Sequence, residues 1–315
     1  MICLNTGGEK SSPKDIAYLV FDIETVLDPD MPPPDFKPGT NGLPSAERNF
    51  PNPSQCKIVS IAGAAMTSDF HIRDLILFGR GGKGEEAIVW DFARYVTEAS
   101  SALSLVTWNG RGFDMPVIAA RLLKYGWPMP AYFSKRYRYK DRTDDGAHID
   151  LMDQLSDYGA SSRAKLDHAA KLIGLPGKVN VSGADVADLY AEGRQADIDF
   201  YCVSDVIQTA FVFWRWAIFR GVLSRQQYRE VASAAVRSWE SAEPEADEEV
   251  KKIWAELIAP GVKRKELLLG DLLLPSSLPA PSESETKTET KPDTKGGNGE
   301  KSRGSKKTDA KQKAA

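Results

Sequence analysis

The stretch Tyr18-Leu-Val-Phe-Asp22-Ile-Glu24-Thr25 joins a short apolar run to two carboxylates. Asp22 and Glu24 are two residues apart, and on a strand such residues share a face. Aligned acids at the end of an apolar strand are expensive to desolvate unless a cation lies between them. A divalent metal is the natural candidate. Read singly, Asp22 also suits a cap on the following loop, and Glu24 a solvated acid at the strand's exit.

Two later stretches bear on that choice. In Trp108-Asn109-Gly110-Arg111-Gly112-Phe113-Asp114-Met115-Pro116 the glycines permit a sharp turn and close backbone approach. Asp114 stands directly before an expected helix over 115–124, with Pro116 tolerated in its first turn. Aspartate is a preferred N-cap, and a cap at the C-terminal edge of a sheet also faces the crevice where α/β proteins bind ligands. The third stretch, Phe200-Tyr201-Cys202-Val203-Ser204-Asp205-Val206, lies in an apolar-periodic segment from about 197 to 220. Tyr201 and Asp205 fall one turn apart on one helical face, a spacing that a core tyrosine and a surface aspartate would share.

The elements that must hold these groups follow from the pattern. Residues 17–23 predict a buried central strand. A connection with eight prolines runs from Asp28 to Ser54, long enough to be functional in its own right or a spacer. Ile58-Val-Ser-Ile-Ala and the run from Ile72 to Phe78 predict two strands antiparallel to the first. Ile88, Phe92, Tyr95 and Val96 give 85–102 the spacing of an amphipathic helix, and 103–108 is a fourth strand. Strands first, then strands alternating with helices, predict a mixed α/β sheet flanked by helices. Asp150-Leu-Met-Asp153 opens a short helix with a cap and a first-turn acid. Residues 153–190 form short helices, and 223–239 and 250–257 two further ones.

With 315 residues, 42% of them hydrophobic, the chain supports one catalytic domain of ~200–250 residues with appendages. No run approaches the ~20 apolar residues of a membrane span, and residues 1–14 lack an apolar core of signal-peptide length. Cys3, Cys56 and Cys202 are scattered, which suggests neither a disulfide framework nor a zinc knuckle and makes a reducing cytoplasm the default. The net charge is −3, and residues 276–315 hold nine Lys/Arg against six Asp/Glu, leaving −6 on residues 1–275. Nucleic acid would therefore be held through a local basic surface and bound cations, not through the overall field. Lys135, Arg136 and Arg138, interleaved with Tyr137 and Tyr139, fit phosphate contacts and base stacking on a single strand. They equally fit an edge strand protected by cations. From about residue 275 the composition cannot sustain a core and predicts a disordered tail.

Taken together, Asp-x-Glu on a first strand, Asn-x-x-x-Phe-Asp in the middle and Tyr-x-x-x-Asp on a late helix resemble the three motifs of the DEDD 3′–5′ exonucleases, which have the ribonuclease H-like fold. Within them the chain is most similar to bacterial stand-alone exonucleases related to the proofreading domain of family B DNA polymerases. The resemblance covers about residues 16–222, flanked by an extension at 1–15, a helical extension at 223–274 and the tail at 275–315. No polymerase palm or thumb fits in the remainder. Tyr201 stands four positions before the last acid and Phe200 occupies the place of the alternative histidine, which assigns the tyrosine subgroup.

The resemblance implies hydrolysis at the 3′ end of single-stranded DNA, releasing nucleoside monophosphates, with two Mg²⁺ or Mn²⁺ ions that stabilise the attacking and leaving oxygens. It assigns Asp22 to both ions, Glu24 and Asp205 to the ion beside the attacking water, and Asp114 to the other. Tyr201, with an ordinary pKa near ~10, is expected to orient that water instead of deprotonating it. Thr25 and Val26 would contact the terminal 3′-hydroxyl, with Asn109 and Phe113 lining the same pocket. The expected partners are single-stranded 3′ ends, DNA before RNA, with no membrane and with the C-terminal helices or tail as a surface for a protein partner. An exoribonuclease and a non-catalytic module that binds nucleic-acid ends are the alternatives. No residue reads as a sensor of the 2′-hydroxyl.

Overall fold

The computed structural model describes residues 2–5, 12–34, 51–79, 84–99, 102–133, 139, 146–177 and 185–240. Its centre is strand β2, Tyr18–Leu27. It runs four residues past the expected end at 23, because Thr25, Val26 and Leu27 continue to pair with β3, Cys56–Met66. Asp22 and Glu24 therefore lie within the strand and not at its exit. The β2–β3 register slips between Glu24 and Thr25, where Glu24 faces Ser60 but Thr25 faces Ile58. An extra residue of this kind is a β-bulge, which bends the strand and re-aims its side chains.

β4, Ile72–Leu77, continues the antiparallel half, as expected, and β1, Ile2–Asn5, pairs with β4 at the sheet's edge. On the other side β5, Ser104–Thr107, and β6, His148–Asp150, run parallel to β2. The order β1-β4-β3-β2-β5-β6 places an antiparallel set beside a parallel pair, the mixed sheet flanked by helices that the sequence predicts. β5 pairs with β2 only along Tyr18–Val20. From Phe21 onward that side of β2 has no strand neighbour among the described residues, and a crevice opens at the C-terminal end of β5.

One face of the sheet carries α1, Glu85–Glu98, which stops short of the expected 102, and α2, Asp114–Tyr125. Phe21, Ile23, Phe92, Val117 and Ile118 pack between them. α3, Pro130–Phe133, adds Tyr132 to that layer. The other face is crossed by the 25-residue helix α7, Gln195–Phe219, about 38 Å long at 1.5 Å per residue. It is apolar around most of its circumference because it is covered on both sides: Val20, Ala62, Ala64 and Val106 lie beneath it. Residues of α5, Leu166–Leu172, and α8, Arg225–Glu240, complete the same core. Small residues on β3, from Ala62 to Ala65, let both helical layers approach closely. α4, Leu151–Leu155, and α6, Val186–Ala191, are short connecting helices. The expected helix at 250–257, the basic stretch 135–138 and the tail lie outside the described residues, and the proline-rich connection is described only at its ends.

Candidate active site

Three elements converge on the crevice. Asp22 and Glu24 come from β2 on the face that α7 covers. Tyr201, Cys202 and Asp205 come from α7. The ligand atoms of Asp22, Glu24 and Cys202 all lie within 4.8 Å of one another. Asp114 and Asp205 act electrostatically on Asp22, and Asp205, Glu24 and Asp22 act on Tyr201. All five residues expected to do chemistry are thus brought together.

The third element is the turn after β5, shaped by its glycines. A Cβ on Gly110 would stand 2.5 Å from Thr107 Oγ1, and one on Gly112 would stand 2.6 Å from Asn109 Oδ1. Asn109 itself takes a left-handed conformation, φ 65°, which asparagine tolerates better than most residues. Its carbonyl accepts from the amides of Gly112 and Phe113 at 2.9 and 3.0 Å. Asp150 ties this turn down from β6: Oδ1 accepts from Asn109 N at 2.9 Å and Oδ2 from Arg111 N at 3.0 Å. The same carboxylate caps α4 through Met152 N and Asp153 N, as its sequence predicts. Its clamp on the turn was not legible, because it joins residues about forty positions apart.

Asp114 is the first residue of α2 and not its N-cap; Phe113 holds the cap position, without a side-chain capping bond. The carboxylate is spent elsewhere, accepting from the Ile23 amide on the open side of β2. Asp114 is 3% exposed, and its Oδ1 has no hydrogen-bond partner among the described residues. An orphaned buried acceptor is costly, and its residue lines an open cleft.

The electrostatics are those of charges crowded without compensation. Burial, then the charges of Asp114, Glu24 and Asp205, push the Asp22 carboxyl well above the ordinary carboxylate range. Burial first, with Asp150 adding repulsion, raises Asp114 to about 8 against its amide hydrogen bonds. Burial and the carboxylates of Asp205, Glu24 and Asp22 drive the Tyr201 hydroxyl far above its usual value, and a hydrogen bond to Asp205 adds to this. Tyr201 therefore stays protonated. Its ring is set by Val59, Val186, Leu189 and Ile198.

An open cleft of about 350 Å³ is lined by Asp22, Glu24, Thr25, Trp108, Asn109, Gly112, Phe113 and Asp114, with Pro51 and Pro53 at its border. Thr25, Asn109 and Phe113, expected at the terminal nucleotide, thus all line this cleft. Val26 does not: it packs against the small apolar cluster around Tyr201. Lys135, Arg136 and Arg138 lie outside the described residues. Cys202 was read only as a scattered cysteine, since a thiol in an apolar helix carries no sequence mark of its neighbours. It is fully buried, and its thiol donates to the Asp22 carbonyl at 3.4 Å.

Fold and site together define a mixed α/β protein whose sheet, long helix and glycine-shaped turn gather carboxylates at one crevice. Residues 48–256 match the family described as a predicted 3′–5′ exonuclease related to the exonuclease domain of PolB. The chain belongs to this family of predicted 3′–5′ exonucleases. The match begins after β2, so Asp22 and Glu24 enter the site through the fold and not through the matched stretch. A family B DNA polymerase from the hyperthermophilic archaeon Pyrobaculum calidifontis is 16% identical, with 73% of this chain and 30% of that chain covered and a TM-score of 0.41. An apo exonuclease I is 15% identical over 68% of this chain and 43% of that one, with a TM-score of 0.33. The zinc-bound complex of E. coli ExoI with single-stranded DNA gives 14% identity, 69% and 45% coverage and a TM-score of 0.35. The chain spans less than half the length of each of these. No curated protein matches the chain.

Proposed function

We propose that this exonuclease removes nucleotides from the 3′ end of single-stranded DNA with the help of two divalent cations, Mg²⁺ or Mn²⁺, held by Asp22, Glu24, Asp114 and Asp205. The observation that carries the reading is that Asp22, Glu24 and Asp114 line one open cleft while Asp205 acts on Asp22 from α7, with the Asp22 carboxyl held well above its ordinary range by burial and by the other three. Cations relieve that repulsion, and the buried, unpartnered Asp114 Oδ1 fits a missing positive partner. An all-oxygen carboxylate set suits Mg²⁺ or Mn²⁺. The cations would supply Lewis-acid stabilisation of the attacking and leaving oxygens in an in-line displacement.

The chain's own residues do the rest. Asp22, between α7 and the turn after β5, would serve both cations. Glu24 and Asp205 close the α7 side, and Asp114 closes the side of the turn. Tyr201, kept protonated, donates its hydroxyl to orient the attacking water and is not a base. Thr25 and Asn109 offer polar atoms to the terminal sugar, and Phe113 a ring on which any base can stack. Val26, packed against the apolar cluster that includes Tyr201, would help to position that ring beside the terminal sugar. Lys135, Arg136 and Arg138 are proposed to hold the following phosphates.

Paired oligomers of one sequence, deoxy and ribo, each labelled at the 5′ end, test the substrate. Shortening of the DNA from its 3′ end, abolished by a 3′-terminal block, is the expected result. Preferential loss of the RNA would move the assignment to an exoribonuclease, and cleavage unaffected by the block would refute the polarity.

A further inference from the structure

Cys202 is a fully buried thiol beside the cleft's acids that the carboxylate chemistry does not use. α7 presents it three residues before Asp205, hence on the same side of the helix, and its sulfur shares a sphere 4.8 Å across with carboxylate oxygens of Asp22 and Glu24. A buried cysteine is ordinarily a small apolar filler. This one instead borders two acids, and Asp114, which lines the adjoining cleft and is 3% exposed, has an Oδ1 without a hydrogen-bond partner among the described residues. Behind it the site is braced: Ser60 Oγ donates to Asp199 Oδ1 at 2.7 Å, and Gln195 Nε2 donates to the same oxygen at 3.0 Å.

We infer that Cys202, together with Asp22 and Glu24, forms a second mode of cation binding in this cleft, selective for thiophilic divalent ions such as Zn²⁺ and Cd²⁺, which bind in competition with Mg²⁺. Two carboxylates and one thiolate give three ligands of the kind that zinc takes, leaving a fourth position for Asp205 or solvent. Sulfur favours Zn²⁺ and Cd²⁺ over Mg²⁺, which keeps to oxygen. On coordination the S–H bond breaks, its electron pair forms the sulfur–metal bond, and the proton leaves to the buffer. The hydrogen bond to the Asp22 carbonyl is given up. A hard cation engages the carboxylates and leaves the thiol where it is. A soft cation draws Asp22 and Glu24 toward Cys202 and away from Asp114, so it blocks the proposed chemistry.

The inference rests on the proposed cation site, but it can be read without nucleic acid, so an inactive nuclease and a failed thiol site give different results. Cd²⁺ is titrated into the metal-free full chain while the ultraviolet thiolate-to-cadmium charge-transfer band is followed. The expected result is a band that saturates at one Cd²⁺ per chain, persists when Cys3 and Cys56 are both replaced by serine, and is lost in Cys202→Ser. Asp22→Asn keeps the thiol and should weaken Cd²⁺ binding at least ~10-fold, since even groups that only support a ligand are worth that much. Added Mg²⁺ should raise the apparent Cd²⁺ dissociation constant. No band in the wild type, a band retained in Cys202→Ser, or Cd²⁺ affinity indifferent to Asp22→Asn would each overturn the inference. Should Cys202→Ser fail to fold by circular dichroism, the Asp22→Asn and Mg²⁺ arms decide it.

Discussion

Asp114 and Tyr201 are shifted in the same direction for different purposes. Asp114, held at about 8, carries a proton in the metal-free native state that it loses on unfolding, where its pKa returns to ~4. The stability from that proton is full below about pH 4 and disappears as pH rises through about 8. A cation can take the proton's place, so Mn²⁺ should raise the melting temperature more at about pH 8 than at about pH 6. Equal stabilisation at both would mean that Asp114 does not meet the cation. Tyr201 is pushed beyond any working pH, so it contributes a donor and not a base. Tyr201→Phe should lower kcat about 10²-fold, the worth of one preorganised donor, without moving the alkaline limb of the pH profile. These two residues were legible in the sequence because their motifs are short and rigidly spaced. Cys202 and Asp150 were not, because each acts on residues far away in the chain. The exact place of Asp114 was missed for a plainer reason: an aspartate at the cap and one at the first helical position look the same in a sequence.

Beyond the end of β2 the elements are tied together by a buried ion cluster. Arg121 of α2 donates to Asp28 Oδ2 at 2.8 Å and to Glu85 Oε2 at 2.6 Å, with both partners' side chains 2% exposed. Lys124 reaches Asp28 at 3.0 Å and Tyr125 reaches Glu85 at 2.6 Å. The cluster joins the end of β2 to α1 and α2. Burial alone would raise Asp28, but hydrogen bonds from Lys124 and Arg121 outweigh it and hold the carboxyl at about 2. That contribution to stability is present above the unfolded value near ~4 and is lost as pH falls toward 2. Arg121→Met, which leaves two buried carboxylates without their shared cation, should cost about 3–5 kcal/mol in urea unfolding. A loss under about 1 kcal/mol would mean that water reaches the cluster. Asp150→Ala should destabilise by about 1–3 kcal/mol through its four unpaired amides and lower kcat/KM by displacing the turn that carries Asp114. Apolar runs and helical periodicity made β2 through β5, α1, α2 and α7 readable. β1 and β6, four and three residues long, are too short to show a period. The reach of β2 past Glu24 depends on pairing with β3 across a bulge, which no local pattern encodes.

At the scale of the whole molecule, the sheet supplies two acids from its central strand, α7 supplies a third with the tyrosine, and the turn after β5 supplies the fourth. The joint spacing of three motifs made this arrangement readable although each motif alone was ambiguous. The basic surface that an acidic chain needs was readable only as composition. Residues 276–315 carry nine Lys/Arg against six Asp/Glu, so removing them should weaken binding to single-stranded DNA, flatten its salt dependence and leave kcat unchanged; an altered kcat would tie the tail to the chemistry. The most direct test of the central claim is degradation of a 5′-labelled single-stranded DNA by the wild type and by Asp22→Asn, each with Mg²⁺, Mn²⁺ or EDTA. The account predicts a ladder shortening from the 3′ end with either metal, absent with EDTA and absent in the variant. A ladder that survives EDTA, or one that Asp22→Asn produces at the wild-type rate, would contradict it.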